Sequence, residues 1–263
     1  NDLGADLSVA CMRVPLNEAS SFGIMSVDGS GSVTAFQEKP TDPSPMAGVD
    51  DAALASMGIY IFNTDILIEE LTNDHADRSS SHDFGNDILP RMIKSHKVCG
   101  YQFGSSQGRV TPDRYWRDVG TIDSYFDANM DLLQTEPPLD LYQDTWPIRT
   151  YHGQHPPARV VTSGHIDHAG IHNSILGAGS MVIDAAVKRS ILSARVRVGA
   201  NADLDSAIVF DHASIGEGAK LNRCIVDKYV TIPAGTIIGY DKEEDEKRYT
   251  VSAKGVVVVS GQS

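Results

Sequence analysis

Cysteine is scarce in this chain, with three residues (Cys11, Cys99 and Cys224) among 263. Odd in number, far apart and free of any CxxC or Cys/His pairing, they argue against a disulfide framework and a zinc site. Basic residues are outnumbered, 22 against 35 acidic, for a net charge of −13. That balance opposes attraction to phosphate backbones and anionic lipid heads, so neither nucleic acid nor a membrane surface is expected as a partner. No apolar run reaches the roughly 18–20 residues that span a bilayer, and no basic-then-apolar leader opens the sequence. A reducing cytoplasm is the expected compartment. GxxxxGK[ST], HExxH and GxSxG are all missing, and Asp83-Phe84-Gly85 stands without the glycine loop or HRD that would make it a kinase triplet. What remains is an ordinary folded composition, 41% hydrophobic and 22% charged with 23 Gly and 12 Pro, enough for one large domain or two modest ones.

The two halves differ in grain. In the first, short aliphatic and aromatic runs at Leu7–Val14, Phe22–Val27, Ser32–Gln37, Ala55–Phe62 and Lys97–Phe103 predict strands. Helical spacing covers Thr64–Leu71, Asn86–Ser95 and Thr121–Leu133. In the last of these, Thr121 is placed to cap a helix whose apolar face is Ile122, Tyr125, Phe126, Met130 and Leu133. This half is α/β. A stretch with several prolines, Pro137 to Pro157, reads as a connector. Beyond about residue 160 a repeat with a period of 17 takes over. Val198, Ile215 and Ile232 are in step, as are Val187, Leu204, Leu221 and Ile238, and the pairs Ile191-Leu192, Ile208-Val209 and Ile225-Val226. Three short aliphatic segments per period, parted by small or turn residues, predict a triangular coil. One side chain per flat side points inward and stacks on its equivalent in the next coil. The expected division is 1–136 for the α/β part, 137–160 for the linker and 161–263 for the coil.

Four places in the α/β half could carry chemistry. Lys39, in Glu38-Lys39-Pro40 at a strand end, can meet a phosphate as a point charge, with a solvated turn lysine as the competing reading. Simple alternation puts Ser56, Gly58 and Tyr60 on one strand face, either to present hydroxyls to a sugar or as a half-buried face. In His82-Asp83-Phe84-Gly85-Asn86-Asp87, Asp83 is a ligand contact or an N-cap. Tyr115-Trp116-Arg117-Asp118-Val119-Gly120-Thr121 offers an aromatic and a carboxylate suited to a Mg²⁺ that keeps several waters and binds substrate phosphates. Together they describe a pocket for a phosphorylated sugar and a metal.

The order of these strings resembles the ADP-glucose pyrophosphorylases, the glucose-1-phosphate adenylyltransferases of bacterial glycogen synthesis. The resemblance runs over essentially the whole chain. It is carried by Ser21-Phe22-Gly23-Ile24-Met25, Phe36-Gln37-Glu38-Lys39-Pro40, Ala55-Ser56-Met57-Gly58-Ile59-Tyr60, Ser81-His82-Asp83-Phe84-Gly85, the Tyr115–Thr121 string and Trp146-Pro147-Ile148-Arg149-Thr150-Tyr151. It implies the C-terminal part of a Rossmann-like nucleotidyltransferase domain followed by a left-handed parallel β-helix of hexapeptide type. It further implies that Lys39 contacts the phosphate of glucose 1-phosphate, and that Gly23, Glu38, Ser56, Tyr60, Asp83, Phe84 and Trp116 surround the sugar. Asp118 would hold Mg²⁺, and Lys228 would stand at a regulatory anion site. ATP and glucose 1-phosphate are the implied substrates, an anionic allosteric effector the implied regulator, and a homotetramer the implied assembly. The family's glycine-rich GTR-type loop and first metal aspartate have no counterpart here, so the chain is expected to be the C-terminal part of a longer enzyme and inactive alone. The competing readings are a nucleotidyltransferase of other sugar specificity, a non-catalytic regulatory subunit, and a hexapeptide acyltransferase drawing a histidine base from His165, His168, His172 or His212.

Overall fold

The computed structural model describes residues 4–104, 115–144, 147–151, 153–163 and 170–261. The chain packs as two compact units, Asn1–Arg114 and Tyr115–Ser263.

The first unit is built on a five-stranded sheet. Its strands are β1 (Leu7–Pro15), β2 (Gly23–Val27), β3 (Val33–Glu38), β4 (Ala52–Phe62) and β5 (Val98–Gln102), in the order β3-β2-β4-β1-β5. β1 pairs parallel with β5, and the other pairings are antiparallel. Each predicted strand is present within about three residues. The alternation in β1 is the reason it forms: Leu7, Val9 and Cys11 are all but fully buried while the residues between them are not. Those side chains face a core of Met25, Leu54, Ile88, Leu89, Met92 and Val98. The first and second helices, α1 (Thr64–Ala76) and α2 (Leu89–Ser95), follow β4 and precede β5 respectively. A second, smaller core of Val14, Ala19, Ile24, Ala53 and Ala55 includes a residue of the 3₁₀ turn Leu16–Ser21.

β4 departs from simple alternation. Ala10 pairs with Ile59 but Cys11 with Ser56, so Met57 and Gly58 bulge out of the ladder, and Gly58 takes a φ of +68° that costs glycine nothing. Ser56 and Tyr60 keep one face, opposite Cys11 and Val9. Gly58 does not share it as a ladder residue, which corrects the expected three-residue face.

In the second unit the aliphatic rows stack as the period demands. Val187, Leu204, Leu221 and Ile238 are in register and fully buried. So are the rows Val182, Val198, Ile215, Ile232 and Leu192, Val209, Val226, Val259. All lie in one continuous core, and every pairing between successive coils is parallel. The step is 16 residues at Ala186↔Gly170, 17 at Val187↔Leu204, and 33 at Cys224↔Val257. The last interval contains a short helix, Lys242–Glu246. No helix among the described residues is long and apolar enough to cross a membrane.

The third helix, α3 (Ile122–Asp131), belongs to this unit. Thr121 caps it through a reciprocal Thr121–Ser124 pair, as expected. Its Phe126 is buried against Ile208, Ile225 and Val256. The pairs Ile191-Leu192, Ile208-Val209 and Ile225-Val226 therefore split: the second member of each points into the coil, while Ile208 and Ile225 point outward and are covered by α3. Packing divides the chain after residue 114, whereas hydrophobic spacing suggested 136. The difference is the segment that carries α3.

Truncating one rung of the inner row should open a cavity that rigid neighbouring coils cannot close. Leu204→Ala should destabilise the coil by about 2–5 kcal/mol, measured by chemical denaturation. A loss below about 1 kcal/mol would show that the row does not carry the fold.

Candidate functional site

The residues singled out in the first unit gather around the carboxylate of Glu38. Glu38 ends β3 and pairs with Gly23 across the β2–β3 ladder. A side chain at Gly23 would run into Phe36 and Glu38, and one at Gly85 would overlap Glu38 Oε2. Two glycines therefore make room for one carboxylate. Tyr60, on the Ser56 face of β4, stacks on Phe84 with ring centroids 5.5 Å apart and 22° between planes. Its hydroxyl is held above the usual phenol pKa, mainly by burial and further by the charges of Glu38 and Asp83, while a hydrogen bond with Ser56 acts in the opposite direction. Glu38, Ser56, Tyr60, Asp83 and Phe84 thus form one cluster, with Gly23 beside it.

Lys39 follows immediately, with φ +43° and its backbone N–H donating to Phe22 O at 3.1 Å. Its ammonium is two-thirds exposed and lies 3.9 Å from Glu38 Oε1, a loose pair that solvent screens. It is free to meet an anion at the rim of the cluster. Asp83 is an N-cap: Oδ1 accepts from the N–H groups of Gly85 and Asn86 at 2.8 Å each, opening the π-helical turn Phe84–Ile88 that runs into α2. Oδ2 has no hydrogen-bond partner among the described residues.

The loop that presents Asp83 and Phe84 is held by acids the sequence reading did not select. Helical spacing ended α1 at Leu71, but it continues to Ala76 and buries Glu70 and Asp74 while leaving Ile68 and Leu71 exposed. Arg91 Nε donates to Glu70 Oε2 at 2.7 Å, and its Nη2 lies 3.7 Å from Asp74 Oδ1. Asp74 Oδ2 hydrogen-bonds His82 Nδ1 at 2.8 Å, and Oδ1 accepts from Ser80 Oγ at 2.7 Å. These bonds, the one with His82 first, hold the Asp74 carboxyl below the usual carboxylate range. Asp87 Oδ2 accepts from the backbone N–H of Ser81 and Asp83, both at 3.1 Å. The one available signal was the i, i+4 spacing of Glu70 and Asp74, which in an unfolded reading looks like a solvated face.

Trp116 and Asp118 stand in the second unit, on the segment leading into α3. Tyr115 Oη and Arg117 Nη2 both donate to Asp131 Oδ2, at 2.8 and 2.6 Å, tying that segment back on the helix. Trp116 is half-buried and Asp118 exposed. Asp118 Oδ2 accepts a long 3.3 Å bond from Gly120 N–H, which leaves most of the carboxylate open. Among the described residues no three His, Cys, Asp or Glu gather to hold a metal. A single open carboxylate suits Mg²⁺, which binds through one or two carboxylates and retains waters. Lys228 is exposed at a coil corner, its N–H donating to Asp227 Oδ1 at 2.7 Å. Nearby, His212 stacks on Tyr229 with centroids 4.9 Å apart, and His172 ends a coil strand. Trp146, His165 and His168 lie outside the described residues.

An α/β sheet whose strand ends carry a lysine, a carboxylate and stacked aromatics, on a chain that continues into a hexapeptide coil, defines a class, and comparison with known proteins gives it a name. A family model described as "Nucleotidyl transferase" matches residues 1–135, and one described as "GlmU-like, C-terminal hexapeptide" matches 156–259. The chain belongs to the nucleotidyl transferase family, and its coil is the left-handed parallel β-helix of hexapeptide type. It is 50% identical over 255 residues to glucose-1-phosphate adenylyltransferase 2 of Vibrio cholerae, covering 97% of this chain and 63% of the relative. The protein of the same name from Vibrio parahaemolyticus is 50% identical over 256 residues, with the same coverage. Glucose-1-phosphate adenylyltransferase of Paramagnetospirillum magneticum is 43% identical over 261 residues, covering 98% and 61%. The chain thus spans about six-tenths of the length of the relatives it matches.

Because the Asp74 carboxyl is held below its unfolded value of about 3.9, its contribution to stability is fully present above that value. It is lost as pH falls through the lowered folded pKa. Asp74→Asn should therefore unfold at lower urea concentration than the parent at pH 7, and the gap should narrow below about pH 4. A gap that does not change with pH would remove the charge of Asp74 from the account.

Proposed function

We propose that the chain is the sugar-phosphate-binding and coil portion of a glucose-1-phosphate adenylyltransferase, acting in glycogen synthesis in the cytoplasm. The observation that supports this most is the cluster of Glu38, Ser56, Tyr60, Asp83 and Phe84 beside the exposed ammonium of Lys39. Carboxylates and hydroxyls in a partly buried cluster with an aromatic stack suit a hexose, and a cation at the rim suits its phosphate. The names of the relatives point to the same substrate. In this reading the division is 1–136 for the catalytic part, 137–160 for the linker and 161–263 for the coil. The assembled enzyme is a homotetramer regulated by an anion near Lys228.

The reaction joins ATP and glucose 1-phosphate. An oxygen of the sugar phosphate attacks the α-phosphorus of ATP; the new P–O bond forms as the bond to the β-phosphate bridging oxygen breaks, and diphosphate leaves with the electron pair. Both reactants are anions, so alignment and charge compensation supply most of the rate. Lys39 fixes the attacking phosphate, Glu38, Ser56, Tyr60 and Asp83 orient the sugar through its hydroxyls, and Phe84 provides apolar surface. Asp118 would hold Mg²⁺, which when bound offsets charge on the phosphates of ATP.

In the full-length enzyme, Lys39→Ala should raise the KM for glucose 1-phosphate by an order of magnitude or more while moving the KM for ATP little. An unchanged sugar-phosphate KM in steady-state kinetics would take Lys39 out of that role. Asp118→Asn should depress kcat by about 10² or more at saturating substrates, and a near-normal rate would refute the metal assignment.

A further inference from the structure

One corner of the coil differs from the site above and from the neighbourhood of Lys228. Asn173, Arg189, Ser206 and Arg223 occupy equivalent positions in four successive coils, each with a left-handed φ between +44° and +54°. Successive rungs are about 4.8 Å apart, the spacing of paired strands, so the two arginines flank the Ser206 rung from either side. The four residues form one wall of a cavity of about 510 Å³, a size that takes a small metabolite. The opposite wall, on and just beyond α3, presents Phe126, Met130 and Leu133 together with Asp127, Gln134 and Thr135.

Both guanidiniums are oriented yet retain donors. Arg223 lies 5.0 Å above the Phe126 ring and donates from Nε to Lys254 O at 3.3 Å, while both of its Nη atoms lack a hydrogen-bond partner among the described residues. Arg189 donates from Nη2 to Asp205 Oδ1 at 2.5 Å and from Nε to Ser206 Oγ at 3.3 Å, and its Nη1 has no hydrogen-bond partner among the described residues. The cavity lining holds two cations, Arg189 and Arg223, and one acid, Asp127, whose charge is met by Lys254 at 3.2 Å.

We propose that this cavity binds a small organic phosphate, its phosphoryl group over Ser206 between Arg189 and Arg223 and its carbon body against Phe126, Met130 and Leu133. A planar carboxylate satisfies one guanidinium fork. A tetrahedral group with three peripheral oxygens can accept from two guanidiniums and a hydroxyl together. A ligand there would bridge the coil to α3, which is already tied to the coil by Asp123, accepting from Ser252 Oγ and Lys254 N–H.

The test is calorimetric titration of the whole chain with phenyl phosphate, inorganic phosphate, benzoate and phenol. Phenyl phosphate should bind saturably, several-fold tighter than inorganic phosphate because of Phe126, Met130 and Leu133 and tighter than benzoate; phenol should not saturate. Arg189→Gln, on a largely exposed side chain that does not support the core, and Arg223→Gln should each weaken phenyl phosphate about tenfold or more, the loss expected for a hydrogen bond to a charged group. Circular dichroism checks that Arg223→Gln is folded, and Arg189→Gln keeps the test open if it is not. Lys220→Ala, at an exposed coil lysine outside the cavity lining, should bind as the parent does. No saturable binding, parent-like binding by both arginine variants, or loss in Lys220→Ala alone would overturn the site, and benzoate equal to phenyl phosphate would overturn the phosphate assignment.

Discussion

A residue in a paired strand has two faces to choose from, and its neighbours must take the opposite one. Most of what is particular to this chain follows from that constraint. In the coil it makes Leu192, Val209 and Val226 inner rungs and sends Ile208 and Ile225 outward. Outward aliphatic side chains have to be covered, and α3 covers them with Phe126. In the sheet unit the same constraint sets Ser56 and Tyr60 opposite Cys11 and Val9, so hydroxyls that serve a polar cluster rise from the face that builds the core. The Gly58 bulge keeps those two in phase across an irregular ladder.

The polar cluster depends on a second economy, that of space. Glu38 is half-buried because Gly23 and Gly85 lack side chains where it lies. Its charge and that of Asp83 then act on the Tyr60 hydroxyl. Around this, Asp74, Asp83 and Asp87 each accept hydrogen bonds from the segment between α1 and α2. The stretch from Asp77 to Asp83, which carries no aliphatic side chain, is thereby ordered by carboxylates, and Phe84 is delivered to Tyr60. In a chain this acidic, part of the negative charge is internal scaffolding rather than a solvated coat.

Much of this could be read from residues alone, and the reasons for the remainder are specific. The rows Val187, Leu204, Leu221, Ile238 and Val198, Ile215, Ile232 were legible because a coil repeats one environment at a fixed interval. Thr121 as a helix cap and the strands of the sheet unit were legible from local chemistry. The course of α1 was not, because its buried residues are Glu70 and Asp74, whose partners Arg91 and His82 come from later in the chain. The attachment of α3 to the coil was equally hidden, since Phe126 reads the same whichever apolar surface receives it. Arg189 and Arg223 carry no local signal of a shared site, since only the coil brings residues at every seventeenth position to one corner.

The sequence by itself determined the class of each half, the period of the coil and the strings Glu38-Lys39, Ser56 to Tyr60 and Asp83-Phe84 that mark the family, since these depend on near neighbours and regular spacing. Only the tertiary structure decided which carboxylates are buried, which isoleucines face outward and which distant cations share a cavity. Those outcomes depend on partners that the chain meets by folding back on itself, and no local pattern records them.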